Sequence, residues 1–316
     1  MADQGLLVVA LGGNAMQDPR GDDSVESDFA RTATTAGHLV ELARAGWRLI
    51  ITHGNGPQVG NHLFRSEVAN REGNLPVLPL DVCVADTQGG MGYMLQQCLE
   101  NAFAGAEIPA VVVSLVTQVV VDGNDPAFAT PSKPVGEVIA AGRAREVEAM
   151  GWSLVEEQDG EGFRRVVASP EPREIVEASA IKTLVDEGVI VVAAGGGGIP
   201  VVATADGLSG VGAVVDKDLA AALLAADLDA ARLLILTDVA AVELDHGTSA
   251  ARPVERMTVA EARSYISAGQ FPAGSMGPKV DACARFAQTA GRPAAIAAIA
   301  DGLAALEGSA GTTIVV

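Results

Sequence analysis

A chain of 316 residues that is 49% hydrophobic but only 3% aromatic must build its core from Val, Ala, Leu and Ile, and at this length an α/β chain can wrap that core around one continuous sheet. A formal charge of −19, with only 21 Lys and Arg spread along the sequence, excludes a broad nucleic-acid surface, which needs clustered cations to release counterions. Cys83, Cys98 and Cys283 are odd in number and lack CxxC spacing, which fits reduced thiols rather than a disulfide framework or a structural metal. No apolar run reaches the roughly 18 residues of a membrane helix and the amino terminus lacks a leader pattern, so the expectation is a soluble, cytoplasmic protein without membrane contact.

"LLVVAL" at 6–11 is apolar on both faces, as in a parallel strand covered by helices, and 28–45 follows with Phe29, Leu39 and Leu42 at helical spacing. "WRLIITHGNG" repeats the design, a strand ending in a glycine turn with a helix expected over 58–70. A helix over 86–103 and a strand over 110–121 come next. The rhythm breaks over 122–167, where Pro126, Pro131 and Pro134 precede "EEQDGEGFRRVV", which reads as a hairpin tip; the segment suits a mobile surface insertion or a lid over a site. Beyond it the pattern predicts a helix over 172–188, the strand "VIVVAAGGGG", a helix over 216–228 and the strand "ARLLILTDV". The last hundred residues add helices over 258–269 and 277–291 and strands over 293–300 and 312–316. Such alternation predicts a doubly wound, mainly parallel sheet whose ligands collect at the carboxyl ends of the strands. Two halves suggest themselves, 1–190 including the insertion and 191–316, stacked on the same sheet.

Three glycine turns would meet at that edge: Gly12, Gly13 and Asn14; Gly54, Asn55 and Gly56; and Gly195, Gly196 and Gly197 with Gly198. Alone, each is equally a tight turn between strand and helix; together they form a cradle of bare N–H groups for phosphate oxygens. Neither GxGxxG at the first turn nor GxxxxGK[ST] anywhere is present, which excludes the dinucleotide and P-loop patterns. Lys217 and Lys279 fall in the opening turns of their helices, where the macrodipole disfavours a cation by about 0.3–1 kcal/mol, so something anionic must compensate. Lysines entering a glycine cradle match phosphoryl transfer, in which catalysis is mostly positioning and charge neutralisation. Asp216 and Asp218 bracket Lys217, either to aim its ammonium or as a solvated helix cap.

The ordered set "VVALGGNAM", "HGNGPQVG", "LDVCVADTQGGMGYMLQQ", "DGNDPAFATPSKPVG", "RRVVASPEPREIVE", "AAGGGGIPVV", "GVGAVVDKDLAAALLA", "ILTDV" and "GSMGPKVDA" resembles carbamate kinase, within the amino acid kinase superfamily, over nearly the whole chain. The resemblance implies an open αβα sandwich with a small protruding lid-like subdomain, and a homodimer active in arginine metabolism. It implies reversible phosphoryl transfer between carbamoyl phosphate and ADP, giving carbamate and ATP with Mg2+. Carried over, it assigns Gly12, Gly13 and Asn14 to the phosphate turn and Gly54, Asn55 and Gly56 to the carbamate side. Lys217 and Lys279 become the cations on the transferred group, Asp218 orients them, and Lys133 approaches from the insertion. Gly195, Gly196, Gly197, Asp216, Thr237 and Asp238, with Gly274, Ser275, Met276 and Gly277, would face the nucleotide.

Three departures from the family pattern stand out. Ala129 and Thr130 precede Pro131-Ser132-Lys133-Pro134 where the family commonly has a polar residue and Asn; Ala241, Val242 and Glu243 stand where an aromatic usually follows "LTDV"; and Thr313 replaces an Arg in "GTTI". They keep two other readings open, a kinase for another small carboxylate or phosphonate and a nucleotide-binding regulator without turnover. His53 is expected as a structural histidine beneath its turn, His62 has no ligand spacing, and no protein metal ligands are assigned, because Mg2+ would arrive with the nucleotide.

Overall fold

The computed structural model describes residues 3–17, 24–157, 160, 162–271 and 274–316. β1 (Gly5–Leu11) lies at the centre, buried from Leu6 to Leu11. α1 (Val25–Arg44) opens with the Ser24 hydroxyl accepting from the Ser27 amide, and Glu26 and Asp28 sit in its first turn, where acidic side chains complement the helix dipole. β2 (Trp47–His53), α2 (Gly56–Gly73), α3 (Leu80–Gly105) and β3 (Val112–Ser114) complete the first stack.

The strand expected over 110–121 is two strands in two sheets. After β3 the chain turns, and β4 (Gln118–Val121) pairs elsewhere. The Gln88 side chain makes this possible: it accepts from the buried Thr117 amide at 2.9 Å and donates to the Thr117 carbonyl at 3.0 Å, satisfying backbone that has left a ladder. The insertion then forms β5 (Lys133–Ile139), α4 (Ala144–Ala149), β6 (Ser153–Glu156) and β7 (Phe163–Val167), an antiparallel sheet in the order β5-β7-β6. The expected hairpin is β6-β7, although 158, 159 and 161 of its tip lie outside the described residues.

The helix expected over 172–188 is also divided. β8 (Pro172–Ile175) pairs antiparallel with β4, and α5 (Ala178–Asp186) starts only afterwards. Pro170 and Pro172 push their preceding residues away from helical angles, and Ile175 enters the core of that sheet. β9 (Ile190–Val192), β10 (Ile199–Thr204) and β11 (Gly207–Gly210) precede α6 (Lys217–Asp227). The carboxyl half continues with β12 (Arg232–Thr237), β13 (Val242–Leu244), β14 (Arg252–Val254), β15 (Arg256–Thr258), α7 (Val259–Ser267) and α8 (Met276–Ala290). It closes with β16 (Ala294–Ala298), α9 (Gly302–Leu306) and β17 (Thr312–Val315).

The large sheet runs β15-β17-β16-β12-β1-β2-β9-β3, parallel except where β16 meets β17. Successive residues of β1 face opposite ways, and the core divides accordingly. Val8 joins Ile50, Val191, Leu233, Leu224 and Phe286 under α5, α6 and α8, while Val9 joins Ile51, Leu39, Leu95 and Phe103 under α1 and α3. The result is a helix-sheet-helix sandwich. A division at 190/191 falls inside β9, which lies between β2 and β3. The central strands β1, β2, β9 and β12 stand side by side and bring their carboxyl ends to one edge.

Candidate active site

Where β1 ends, the Gly12 amide donates to the Leu236 carbonyl at 3.0 Å, and a Cβ on Gly12 would stand 3.3 Å from that oxygen. The missing side chain of Gly12 therefore admits the neighbouring strand. Gly13 differs: it is exposed, with nothing within 4 Å of its Cβ position. Asn14 donates to Asp238 Oδ2 at 2.8 Å, and Thr237 Oγ1 donates to Asp238 Oδ1 at 3.0 Å, so the end of β12 braces the turn. Arg31 of α1, which the sequence did not single out, donates from Nε to the Asn14 carbonyl at 2.8 Å.

Where β2 ends, a Cβ on Gly54 would meet Lys217 Cδ at 3.1 Å and the Gly13 nitrogen at 3.9 Å. Gly54 is the gap through which the Lys217 stem passes toward the turn at Gly13. Asn55 is turned inward, donating to Thr87 Oγ1 at 2.9 Å, while the space around Gly56 is open. Gly195, Gly196 and Gly197 pack against His53, Asn55 and Val215: added Cβ atoms would lie 2.4 Å from His53 Nε2, 2.2 Å from Asn55 Nδ2 and 2.3 Å from the Val215 carbonyl. They are buried beneath the amino-half turns and are not among the residues that line the cavity described below.

Asp216 caps α6, its Oδ1 accepting from the amides of Asp218 at 2.9 Å and Leu219 at 3.3 Å. Its other oxygen accepts from Lys133 Nζ at 2.8 Å, so both oxygens are engaged by the protein rather than aimed at a nucleotide. Burial pushes the Asp216 carboxyl up, yet the Lys133 ammonium, with Lys217 and the Asp218 amide, carries it well below the usual carboxylate range. Asp218, 2% exposed, receives two cations: Lys217 Nζ on Oδ1 and Lys279 Nζ on Oδ2 at 3.0 Å. Burial draws Lys217 below its ordinary value, opposed by Asp218 and reinforced by the charge of Lys279. For Lys279, burial works downward but Asp218 outweighs it and the ammonium is held more firmly than usual. Two neighbouring lysines thus share one buried anion beside Gly54 and the turn at Gly13.

Beyond the end of β12 lies a cavity of about 540 Å³ bounded by Val239, Ala241, Glu243, Phe271, Ser275 and Met276. Ser275 and Met276, two of the residues expected to face a nucleotide, line this cavity; Gly274 and Gly277 flank these two, and Thr237 and Asp238 stand at the mouth of β12. The aromatic missing after "LTDV" has a counterpart in Phe271, which enters from the segment before α8 and which the sequence did not reveal because it lies thirty-odd residues away. Thr313, where the family pattern has Arg, lines a separate hollow with Arg232, Glu255 and Arg256 at the amino-terminal edge of the sheet. Ala129 and Thr130 are exposed on the insertion. Among the described residues no group of three or more His, Cys, Asp or Glu is arranged to hold a metal ion, and His62 lies 3.8 Å from Asp86.

Residues 5–298 match the model of the amino acid kinase family. The chain belongs to that family. It is 44% identical to the carbamate kinase of Pyrococcus furiosus and 44% identical to the carbamate kinase-like protein YahI of Escherichia coli, in each case over 98% of both chains. Carbamate kinase from Giardia lamblia bound to AMP-PNP superposes with a TM-score of 0.90 at 39% identity over 98% of both chains. In this amino acid kinase the clustered lysines, the two strand-end turns and the adjoining cavity occupy one edge of the sheet.

His53 is 1% exposed, and its Nδ1 donates to the Gly54 carbonyl at 3.0 Å. Burial, with the Lys217 charge adding and the Gly54 bond opposing, lowers its pKa to about 4 from 6.5. The folded state refuses a proton that the unfolded state takes, so stability is complete above pH 6.5 and is lost as pH falls toward about 4. Between about pH 7 and pH 5 this single group should cost about 2 kcal/mol. Urea unfolding at both pH values should show His53→Gln losing correspondingly less stability than the parent chain; equal losses would remove His53 as the cause.

Proposed function

We propose that this chain is a carbamate kinase, transferring a phosphoryl group between carbamoyl phosphate and ADP with carbamate and ATP as products. The observation that carries this reading is Asp218 holding Lys217 and Lys279 together beside the open space at Gly13. Phosphoryl transfer needs little covalent chemistry from the protein; it needs fixed positive charge where the transferred group's oxygens gain negative charge. Two ammonium groups, preorganised by one carboxylate, supply it at no reorganisation cost. The carboxyl half would seat ADP in the cavity bounded by Phe271 and Met276, and the amino half would seat carbamoyl phosphate against the turns at Gly13 and Gly54. Mg2+ would come with the nucleotide, held by phosphates and water, and would add positive charge there.

Neither alternative gains support from a site residue. Thr313 stands at the far edge of the sheet, so its replacement of Arg removes no cation from this site, which weakens the regulator reading. Identity ranks a carbamate kinase and a carbamate kinase-like protein equally, so turnover rather than similarity decides the acceptor. Formation of ATP from ADP and carbamoyl phosphate tests the proposal directly. Robust turnover is expected, with Lys217→Ala slower by about 10²–10³ and Lys279→Ala similarly slow and non-additive with it. A folded Lys217→Ala protein with unchanged turnover would refute the assigned role.

We also infer a twofold dimer. β3 is an edge strand of the large sheet, and beside it Tyr93 of α3, Val111 and Val116 are 58%, 61% and 56% exposed, an apolar strip next to an open edge. No helix among the described residues is long and apolar enough to cross a membrane, and the three cysteines are buried free thiols, which suits the cytoplasm. Light scattering at micromolar concentration should give twice the 32.1 kDa chain mass, and Tyr93→Arg should shift it toward one. A monomeric parent chain would contradict the inference.

A further inference from the structure

Trp152 and Arg165 of the insertion donate to Glu67 of α2, and two further contacts between the insertion and the rest of the protein differ in kind. At its root, β5 lies directly on α2 with no side chain between them: a Cβ on Gly60 would fall 2.1 Å from Gly136 Cα, and Gly136 itself has φ +74. Val135 and Val167 pack with Val59, Leu63 and Val214 around that contact. Three residues before Gly136, the side chain of Lys133 reaches α6, its ammonium resting on Asp216. The backbone contact fixes where the insertion is attached. The ion pair fixes where Lys133 points.

Asp216 divides its two oxygens between these tasks. Oδ1 caps α6, a role Asn fills equally well, and Oδ2 takes the ammonium of a residue 83 positions away. The next two residues are Lys217 and Asp218, so the first turn of α6 presents one catalytic lysine and holds a second from another subdomain. The pair is mostly shielded, with side chains 23% and 19% exposed, so solvent screens it less than a surface pair. An ammonium has three donors, and one spent on Asp216 leaves two for a phosphate oxygen.

We propose that Asp216 is a positioning residue for the reaction, tethering Lys133 over the site so that the insertion delivers its cation to the phosphate of carbamoyl phosphate rather than to the nucleotide. The tether is a property of the ligand-free chain; its consequence for substrate rests on the carbamate kinase reading.

Asp216→Asn separates the two tasks, because it keeps an acceptor for the α6 amides but turns an uncharged amide donor toward Lys133. The first measurement is lysine footprinting of the ligand-free full chain, with an acetylating ester and peptide mass spectrometry, using the 57% exposed Lys182 as internal reference. The rate at Lys133 relative to Lys182 should rise about fivefold in Asp216→Asn, the factor expected when a partly buried ion pair is lost. The second is steady-state kinetics of ATP formation. Asp216→Asn and Lys133→Ala should each raise KM for carbamoyl phosphate about tenfold while KM for ADP stays within about twofold, and the double variant should be no worse than the worse single. Unchanged labelling overturns the tether. Increased labelling with unaltered KM for carbamoyl phosphate, or a rise in KM for ADP instead, overturns the positioning role. A parent chain without turnover of carbamoyl phosphate would overturn the functional reading instead, and labelling alone would then decide the tether.

Discussion

Burying one carboxylate between two ammonium groups is the constraint on which the rest of this molecule depends. Asp218 is nearly inaccessible, and Lys217 and Lys279 are 13% exposed at their side chains. Taking such charges from water costs several kcal/mol each, and the cost is offset only if the geometry is fixed and every partner is present. Two positive groups on one anion also leave a net positive charge, which the proposed function assigns to an incoming phosphate.

Holding that geometry requires α6 and α8 to stand close together on the same face of the sheet, since one supplies Lys217 and Asp218 and the other Lys279. The two helices pack together, and their buried residues are mostly small, Ala220, Ala221, Ala222 and Ala225 on α6 and Ala282, Cys283, Ala284 and Ala287 on α8. Small side chains let the helices approach one another, which accounts for a core rich in alanine and poor in aromatics. Gly54 extends the same logic to the site. Its absent side chain is the passage for the Lys217 stem, so a position that looks like turn chemistry in the sequence is a packing requirement of that lysine. Gly12 serves the adjacent strand, whereas Gly13 leaves open space, and only the second fits the idea of a turn emptied for a phosphate.

The alternating strands and helices were legible because β1, β2 and β12 are buried on both faces and their helices carry a continuous apolar stripe. The lysines were legible because a cation in the first turn of a helix needs an explanation. What escaped detection is long-range. The break between β3 and β4 depends on Gln88, thirty residues earlier in the chain, and β8 reads as helix until its partner β4 is known. Asp216 caps α6, as the sequence allows, but its second partner Lys133 lies 83 positions away, and the packing of Gly195 and Gly196 against His53 and Asn55 is equally long-range. Phe271 enters the cavity from a segment with no pattern that marks it.

The central claim is that Asp218 keeps two lysines charged and adjacent, and the pH dependence of ATP formation by Asp218→Asn tests it most directly. Burial already draws Lys217 below its ordinary range, and Asp218 is the largest influence opposing that. Without the carboxylate, Lys217 should lose its proton within the assay range, and kcat/KM of the variant relative to the parent chain should fall about tenfold between about pH 6 and pH 9. A variant whose profile runs parallel to that of the parent chain, at comparable rate, would contradict the account.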